Sequence, residues 1–286
     1  MRILRVACAL SAALWTAAAY AETAEALPFF AYCFDTHDSM NRSLEEQAKL
    51  IKDLGFQGVG HLWLDDVQER LDTLDAQGLT LYQITIHINM ADTETPFSPQ
   101  LKEVLPLLKG RQVQICPLME GMAPSDRDGD EVGVKIIREL ADLAKDSGTE
   151  IVLYPHADLW MERVDDAIHM ARLVDRDNVA IMFNLCHWLK ENNEAGLEAL
   201  LEEAMPWLHA VSINGADHAE DIAKGTGDWL QPLGSGSFDV GALLAALKRL
   251  GYNKPVGLQC WGLQGDAKVH LQRSMAAWKA LQGQSK

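Results

Sequence analysis

The chain reads as an α/β protein, a closed (β/α)8 barrel in a single domain, and three observations carry that expectation. Apolar runs of strand length alternate with amphipathic stretches of helix length eight times along the sequence, the pattern of parallel βα units. A chain of 286 residues with 48% hydrophobic content can bury one large core without a second domain. Polar and aromatic groups gather late in four of the strand-like segments, at Tyr154-Pro-His156, Asn184-Leu-Cys-His187, Ser212-Ile-Asn214 and Gln259-Cys-Trp261. In a barrel of this kind the carboxyl ends of all strands open onto one face, so these four clusters form one side of one pocket.

Taken in order, the first strand runs from Phe29 to Asp35. Ser43 then N-caps a helix whose Leu44, Ala48, Ile51 and Leu54 share one face, and Gly55 ends it. Strands follow at Gly58 to Leu64, Leu81 to Asn89 and Val113 to Glu120. Val134, Ile137, Leu140, Ala141 and Ala144 make the apolar face of the next clear helix, which stops at Gly148. The fifth to seventh strands span Glu150 to His156, Val179 to Asn184 and Ala210 to Asn214. The longest irregular stretch, Gly215 to Gly236, comes next, and a long loop on the open face is a candidate lid. Asp239 N-caps a helix ending at Gly251, and Pro255 to Cys260 is the eighth strand. Gly234-Ser-Gly236 is read as a turn, since it lacks the following Lys of a phosphate cradle. No serine has the spacing of a nucleophile elbow.

Met1-Arg-Ile-Leu-Arg5, the apolar run Val6 to Ala18 and the small-x-small Ala19-Tyr-Ala21 read as a cleavable signal peptide over residues 1–21. The barrel domain then occupies 22–286, in the periplasm or secreted, with the mature chain starting about Glu22. No later segment offers ~20 consecutive apolar residues, so no membrane anchor is expected. Removing Arg2 and Arg5 takes the formal charge from −16 to −18. That acidity argues against nucleic acid or an anionic membrane as partner, because phosphate contacts need clustered Lys and Arg. A neutral or cationic small molecule remains compatible, as does self-association into a homo-oligomer. Cys33, Cys116, Cys186 and Cys260 lie in or just beyond apolar strands, without the close spacing of a zinc site, and read as buried thiols. The first and eighth strands are neighbours in a closed barrel, so an oxidising compartment would permit a Cys33–Cys260 disulfide.

Three stretches are diagnostic: the fifth-strand ending at His156; Asn178-Val-Ala-Ile-Met-Phe-Asn-Leu-Cys-His187; and Pro232-Leu-Gly-Ser-Gly-Ser-Phe-Asp239 with Leu247-Lys-Arg-Leu-Gly-Tyr252 and Val256-Gly-Leu-Gln259. Through them the chain resembles the xylose-isomerase-like TIM-barrel family of sugar isomerases and epimerases, over essentially its whole mature length. That scaffold also hosts endonucleases and lyases. The resemblance implies a divalent cation held by acidic or histidine ligands near the ends of the fifth to eighth strands. It aligns the fifth-strand glutamate with Tyr154, the sixth-strand aspartate with Asn184, the seventh-strand histidine with Ser212 and the eighth-strand glutamate with Gln259. His209 lies three residues before Ser212, which leaves a second register open there. Hard cations want anionic oxygen ligands, so the resemblance implies a divergent member without the usual metal site and with no cofactor expected.

The candidate catalytic groups are His156, His187 and Glu120. The two histidines match family positions that resemble substrate-contacting residues. Glu120 is the carboxylate at a core strand end in the middle of the barrel, with a salt bridge to Arg127 as its structural alternative. Candidate substrate-binding residues are His61, His87, Tyr154, Asn184, Asn214, Gln259, Trp188 and Trp261. Asp35 with His37 is a further pair, though Asp and His are also common turn residues. His169 and His270 lie on helices, away from strand ends. Trp63, Trp160, Trp188, Trp229 and Trp261 fall at strand ends or in the following loops; indole faces stack on sugar rings, and the amides can bond hydroxyls both ways. The expected partner is a small-molecule carbohydrate, and the expected activity is isomerisation, epimerisation or lysis of a sugar or oxidised glycoside by proton transfer. Two alternatives stay open: a non-catalytic carbohydrate-binding barrel, and a lyase with a relocated Mn, Zn or Co site at His61, His87, His156 and Glu120.

Overall fold

A computed structural model describes residues 27–191 and 194–283. The expected signal peptide lies outside these residues. Eight parallel strands follow one another round a closed barrel: β1 Phe29–Tyr32, β2 Gly58–Leu62, β3 Thr80–Asn89, β4 Gln114–Glu120, β5 Glu150–Leu153, β6 Val179–Asn184, β7 Leu208–Ile213 and β8 Val256–Gln259. β8 closes on β1, with Tyr32 opposite Gln259. The helices are α1 Leu44–Leu54, α2 Val67–Gln77, α3 Leu101–Val104, α4 Asp130–Ala144, α5 Val164–Val174, α6 Leu185–Glu191, α7 Leu197–Ala204, α8 Ala219–Ala223, α9 Val240–Arg249 and α10 Ala267–Gly283. No helix among the described residues is long and apolar enough to cross a membrane.

The local signals act where they were expected. Ser43 and Glu46 form a reciprocal capping box on α1, and Asp239 accepts from the Ala242 amide at the start of α9. Gly55 and Gly148 take left-handed conformations past helix ends. Several strands are shorter than expected, β1 and β5 the most: β1 stops at Tyr32, where Cys33 turns to φ 55°, and β5 stops at Leu153, just short of Pro155, which has no N–H to give a ladder.

Side chains alternate between two apolar layers. Outward residues such as Phe29, Val59, Ile84, Ile86, Ile151, Phe183, Val211 and Leu258 pack beneath the helices, each worth roughly 1.5–3 kcal/mol when fully buried. Inward residues Phe30, Tyr32, Cys116, Val152, Tyr154, Ala180, Met182 and Ala210 fill the lumen. Gly60 makes room for the Tyr32 ring, which a Cβ at that position would meet at 2.2 Å. At the amino-terminal end of the lumen, Gln83 donates to Gln114, Gln114 donates to Glu150, and His209 Nδ1 lies 3.0 Å from Glu150 Oε1. The register is thereby fixed, with Ser212 beside Asn184 and His209 at the far end of the barrel.

Candidate functional site

The lumen opens at the carboxyl ends of β5 to β8 onto a set of neutral polar groups. Tyr154 is buried there, and its hydroxyl oxygen accepts from Asn184 Nδ2 at 2.7 Å and from Gln259 Nε2 at 3.2 Å. Neither amide is free to turn. Asn184 Oδ1 accepts from the Cys186 backbone amide at 3.2 Å, and Gln259 Oε1 accepts from the Cys260 and Trp261 amides at 3.0 and 3.1 Å. Backbone N–H groups cannot accept, so they fix which end of each amide faces the phenol. Burial, with nearby thiols adding to it, holds the Tyr154 phenol far above its ordinary range, and it stays protonated. Ser212 and Asn214 stand beside this cradle on β7 and just after it; Ser212 Oγ and Asn214 Oδ1 are buried polar atoms with no partner among the described residues.

His156 and His187 complete this side. α6 starts immediately after β6, so His187 enters within the first turn of a helix capped by Asn184, while His156 comes from the loop after β5. Their ring centroids are 3.8 Å apart and tilted by 38°, and each lies edge-on to Tyr154 at 5.9 and 5.8 Å. His156 Nδ1 donates to the Ala157 carbonyl at 2.8 Å, which leaves Nε2 as its lone-pair nitrogen. His187 Nδ1 is buried and unpartnered, and a buried polar atom of that kind points to a missing partner. Burial is the main cause that lowers both imidazoles below their ordinary range, furthest for the more deeply buried His187; Lys190 adds repulsion at both, and His156 at His187. Both are therefore neutral bases near pH 7.

The opposite side, after β2 to β4, carries the charge. His87 and Glu120 point into the mouth 3.3 Å apart, both largely exposed, with Trp63 stacked on His87 at 3.9 Å between centroids. The structural alternative for Glu120 does not form: Arg127 pairs with Asp166 at 3.1 Å instead. His61 takes the other face of its strand, in step with Val59, and looks into the helix layer. Its Nε2 donates to the Asp65 carbonyl at 2.8 Å and its Nδ1 accepts from Arg70 at 3.3 Å. With both nitrogens engaged, His61 is not brought together with His87, His156 and Glu120. Asp35 lies 3.6 Å from the buried Arg70, and His37 sits edge-on to Trp261, which is 48% exposed at the rim.

The tryptophans divide. Trp63, Trp229 and Trp261 stand at the mouth. Trp160 is buried over Gly129 and Gly133 and donates to the Asp126 carbonyl, while Trp188 is buried against Phe183 and Phe238. Lys190, which the sequence does not single out, lies over the Trp229 ring at 4.9 Å and pairs with Asp158 at 3.1 Å. Its spacing of three from His187 on one helix is the signal that could have found it. The long stretch after β7 contains α8 and is pinned by Asp217, which accepts from Asp228, Gln231 and Ser237, and by Asn214, which donates to the Trp229 carbonyl. All four cysteines of the described residues are buried free thiols, Cys33 and Cys260 included. A separate open groove of about 1080 Å3 runs along the outer flank of α4, with Thr93 and Pro96 of the loop after β3 at one end and Leu173 of α5 along it.

A divalent cation does not fit the four positions that the family resemblance marks for it. Tyr154 is a protonated phenol, Ser212 a hydroxyl, and Asn184 and Gln259 turn their N–H groups inward with their oxygens already occupied. A cation there would meet amide hydrogens and no anionic oxygen. Among the described residues no other group of three or more His, Cys, Asp and Glu is placed to hold a metal ion.

The sequence profile of the xylose isomerase-like TIM barrel matches residues 48–281. Among solved structures, D-allulose 3-epimerase from Methylomonas sp. superposes with a TM-score of 0.69 at 18% identity, covering 90% of this chain and 98% of that one. The 3-keto-D-glucoside 4-epimerase from E. coli gives 0.70 at 18% identity over 89% and 99%, and L-ribulose 3-epimerase gives 0.67 at 16% over 90% and 96%. At such identities the likeness is one of fold. No curated protein matches by sequence.

Proposed function

The chain belongs to the xylose isomerase-like TIM-barrel family, and from that premise we propose that it is an isomerase or epimerase moving a proton on a sugar or oxidised glycoside, without the family's divalent metal. The observation that carries the reading is the pair His156 and His187, two neutral imidazoles 3.8 Å apart in a buried mouth, one with a free Nε2 and the other with an unpartnered Nδ1. Neutral imidazoles near pH 7 are suited to taking a proton from carbon and returning it. Ser212 Oγ and Asn214 Oδ1, buried without partners, suit sugar hydroxyls. Glu120 with His87 lines the opposite rim, where a carboxylate and an imidazole can orient the remaining hydroxyls. Trp63 and Trp261 offer faces for the ring.

The test is deuterium uptake from D2O at carbons next to the carbonyl, followed by NMR on methyl 3-keto-β-D-glucopyranoside and D-allulose. His156→Ala and His187→Ala are each expected to lower the exchange rate by about 100-fold or more, and dialysis against a chelator to leave it unchanged. Full exchange in both variants would remove the histidines from the chemistry.

A further inference from the structure

A proton next to a carbonyl leaves readily only where something holds the negative charge that develops on the oxygen. The donor set at the four resemblance positions does not suit a cation, so that task falls to a group of this chain. Tyr154 has the geometry for it. Both acceptor positions of its hydroxyl oxygen are filled, by Asn184 and Gln259, and its own proton has no acceptor among the described residues. The two amides are held in that orientation by the backbone of Cys186, Cys260 and Trp261. A buried O–H so placed has nowhere to donate except toward a ligand. The His156 and His187 rings, the bases of the reaction, stand at 5.9 and 5.8 Å from the Tyr154 ring centre.

We propose that the Tyr154 hydroxyl is the oxygen-polarising group of this site, donating to the ketone oxygen of an oxidised sugar and holding the enolate formed when the neighbouring carbon loses its proton. This rests on the proton-transfer reading and adds the substrate class, a sugar that already carries a ketone. His156 Nε2 takes the proton, the C–H bonding pair becomes the C=C bond, and the carbonyl π pair moves onto the oxygen that Tyr154 holds. Return of that proton to carbon from the His156 imidazolium, with the oxygen pair re-forming the carbonyl as the C=C pair takes up the proton, restores the ketone. Nothing is oxidised or reduced, and no proton is lost. The two amide donors stabilise the phenol oxygen as its proton is drawn toward the enolate, and all three groups are in place before substrate arrives.

The experiment uses methyl 3-keto-β-D-glucopyranoside with 13C at the carbonyl. Infrared difference spectra of the bound probe are recorded for the wild type, for Tyr154→Phe and for a chain carrying 3-fluorotyrosine at position 154. The wild type is expected to shift the carbonyl band to lower frequency. Tyr154→Phe is expected to abolish that shift and to slow deuterium exchange by about 100-fold to 1000-fold, the usual cost of removing one oxyanion donor. The fluorinated residue keeps ring, hydroxyl and cradle while making a stronger donor, so it should move the band further and serves if Tyr154→Phe fails to fold. An unshifted band in the wild type, or the same band and exchange rate in all three chains, would overturn the role of Tyr154 and leave the histidines standing. Absence of both binding and exchange in the wild type would overturn the proton-transfer reading, and this inference with it.

Discussion

At the scale of single residues, the site separates groups by whether their hydrogen-bonding capacity is spent. His61, Asn184 Oδ1 and Gln259 Oε1 are spent on the fold, whereas His187 Nδ1, Ser212 Oγ, Asn214 Oδ1 and the Tyr154 proton are not. His156 and His187 also set the response to pH. Burial lowers both below the ordinary value of 6.5, so at pH below that value the unfolded chain binds protons that the fold refuses. The stabilisation is fully present above pH 6.5 and is lost as pH falls through the lower, folded values. Thermal melts should show Tm falling on acidification below that point, with a shallower fall for His187→Gln. The acid limb of the exchange-rate profile should lie below 6.5 for the same reason. An acid limb at 6.5 would mean that the histidines are solvated and ordinary.

At the scale of elements, the strand ends determine which side chains meet. The Gly60 position on β2 is where this is most exposed to test, because its missing side chain is what admits the Tyr32 ring to the lumen. Gly60→Ala should destabilise the protein by about 1–3 kcal/mol through overpacking, read from the midpoint of urea unfolding. An unchanged midpoint would show that the lumen can repack. The sequence made the strands legible because parallel barrel strands are apolar on both faces and stop at recognisable residues. The same two-sided apolarity hides which face a polar residue takes. His61 and Gly60 could not be assigned to layer and lumen from the pattern, and His61 accordingly looks into the helix layer. Trp188 follows a strand end, which predicts a residue at the mouth. With no loop between β6 and α6, the helix instead carries it under the outer layer. The His87–Glu120 pair depends on the β3–β4 register, which no local signal specifies. The Tyr154 cradle was legible as a set of residues, but the direction of each amide is fixed by backbone N–H groups that only the fold brings into place.

At the scale of the whole molecule, closure of the sheet means that no strand is an edge and no quarter of the barrel can open without breaking two ladders. The four buried thiols report on this. They lie just after β1, in β4, just after β6 and just after β8, and because β8 closes on β1 they sample three regions of the wall, with Cys33 and Cys260 sharing one. Burial raises the pKa of each, so each stays in the unreactive protonated form for as long as the wall is intact. The protein thus carries its own clock for opening. A thiol reagent such as 5,5′-dithiobis(2-nitrobenzoate), added to the native protein, should modify all four cysteines in one kinetic phase whose rate is that of global unfolding. Separate rates would instead time the wall region by region, with the earliest cysteine marking where the ring first parts.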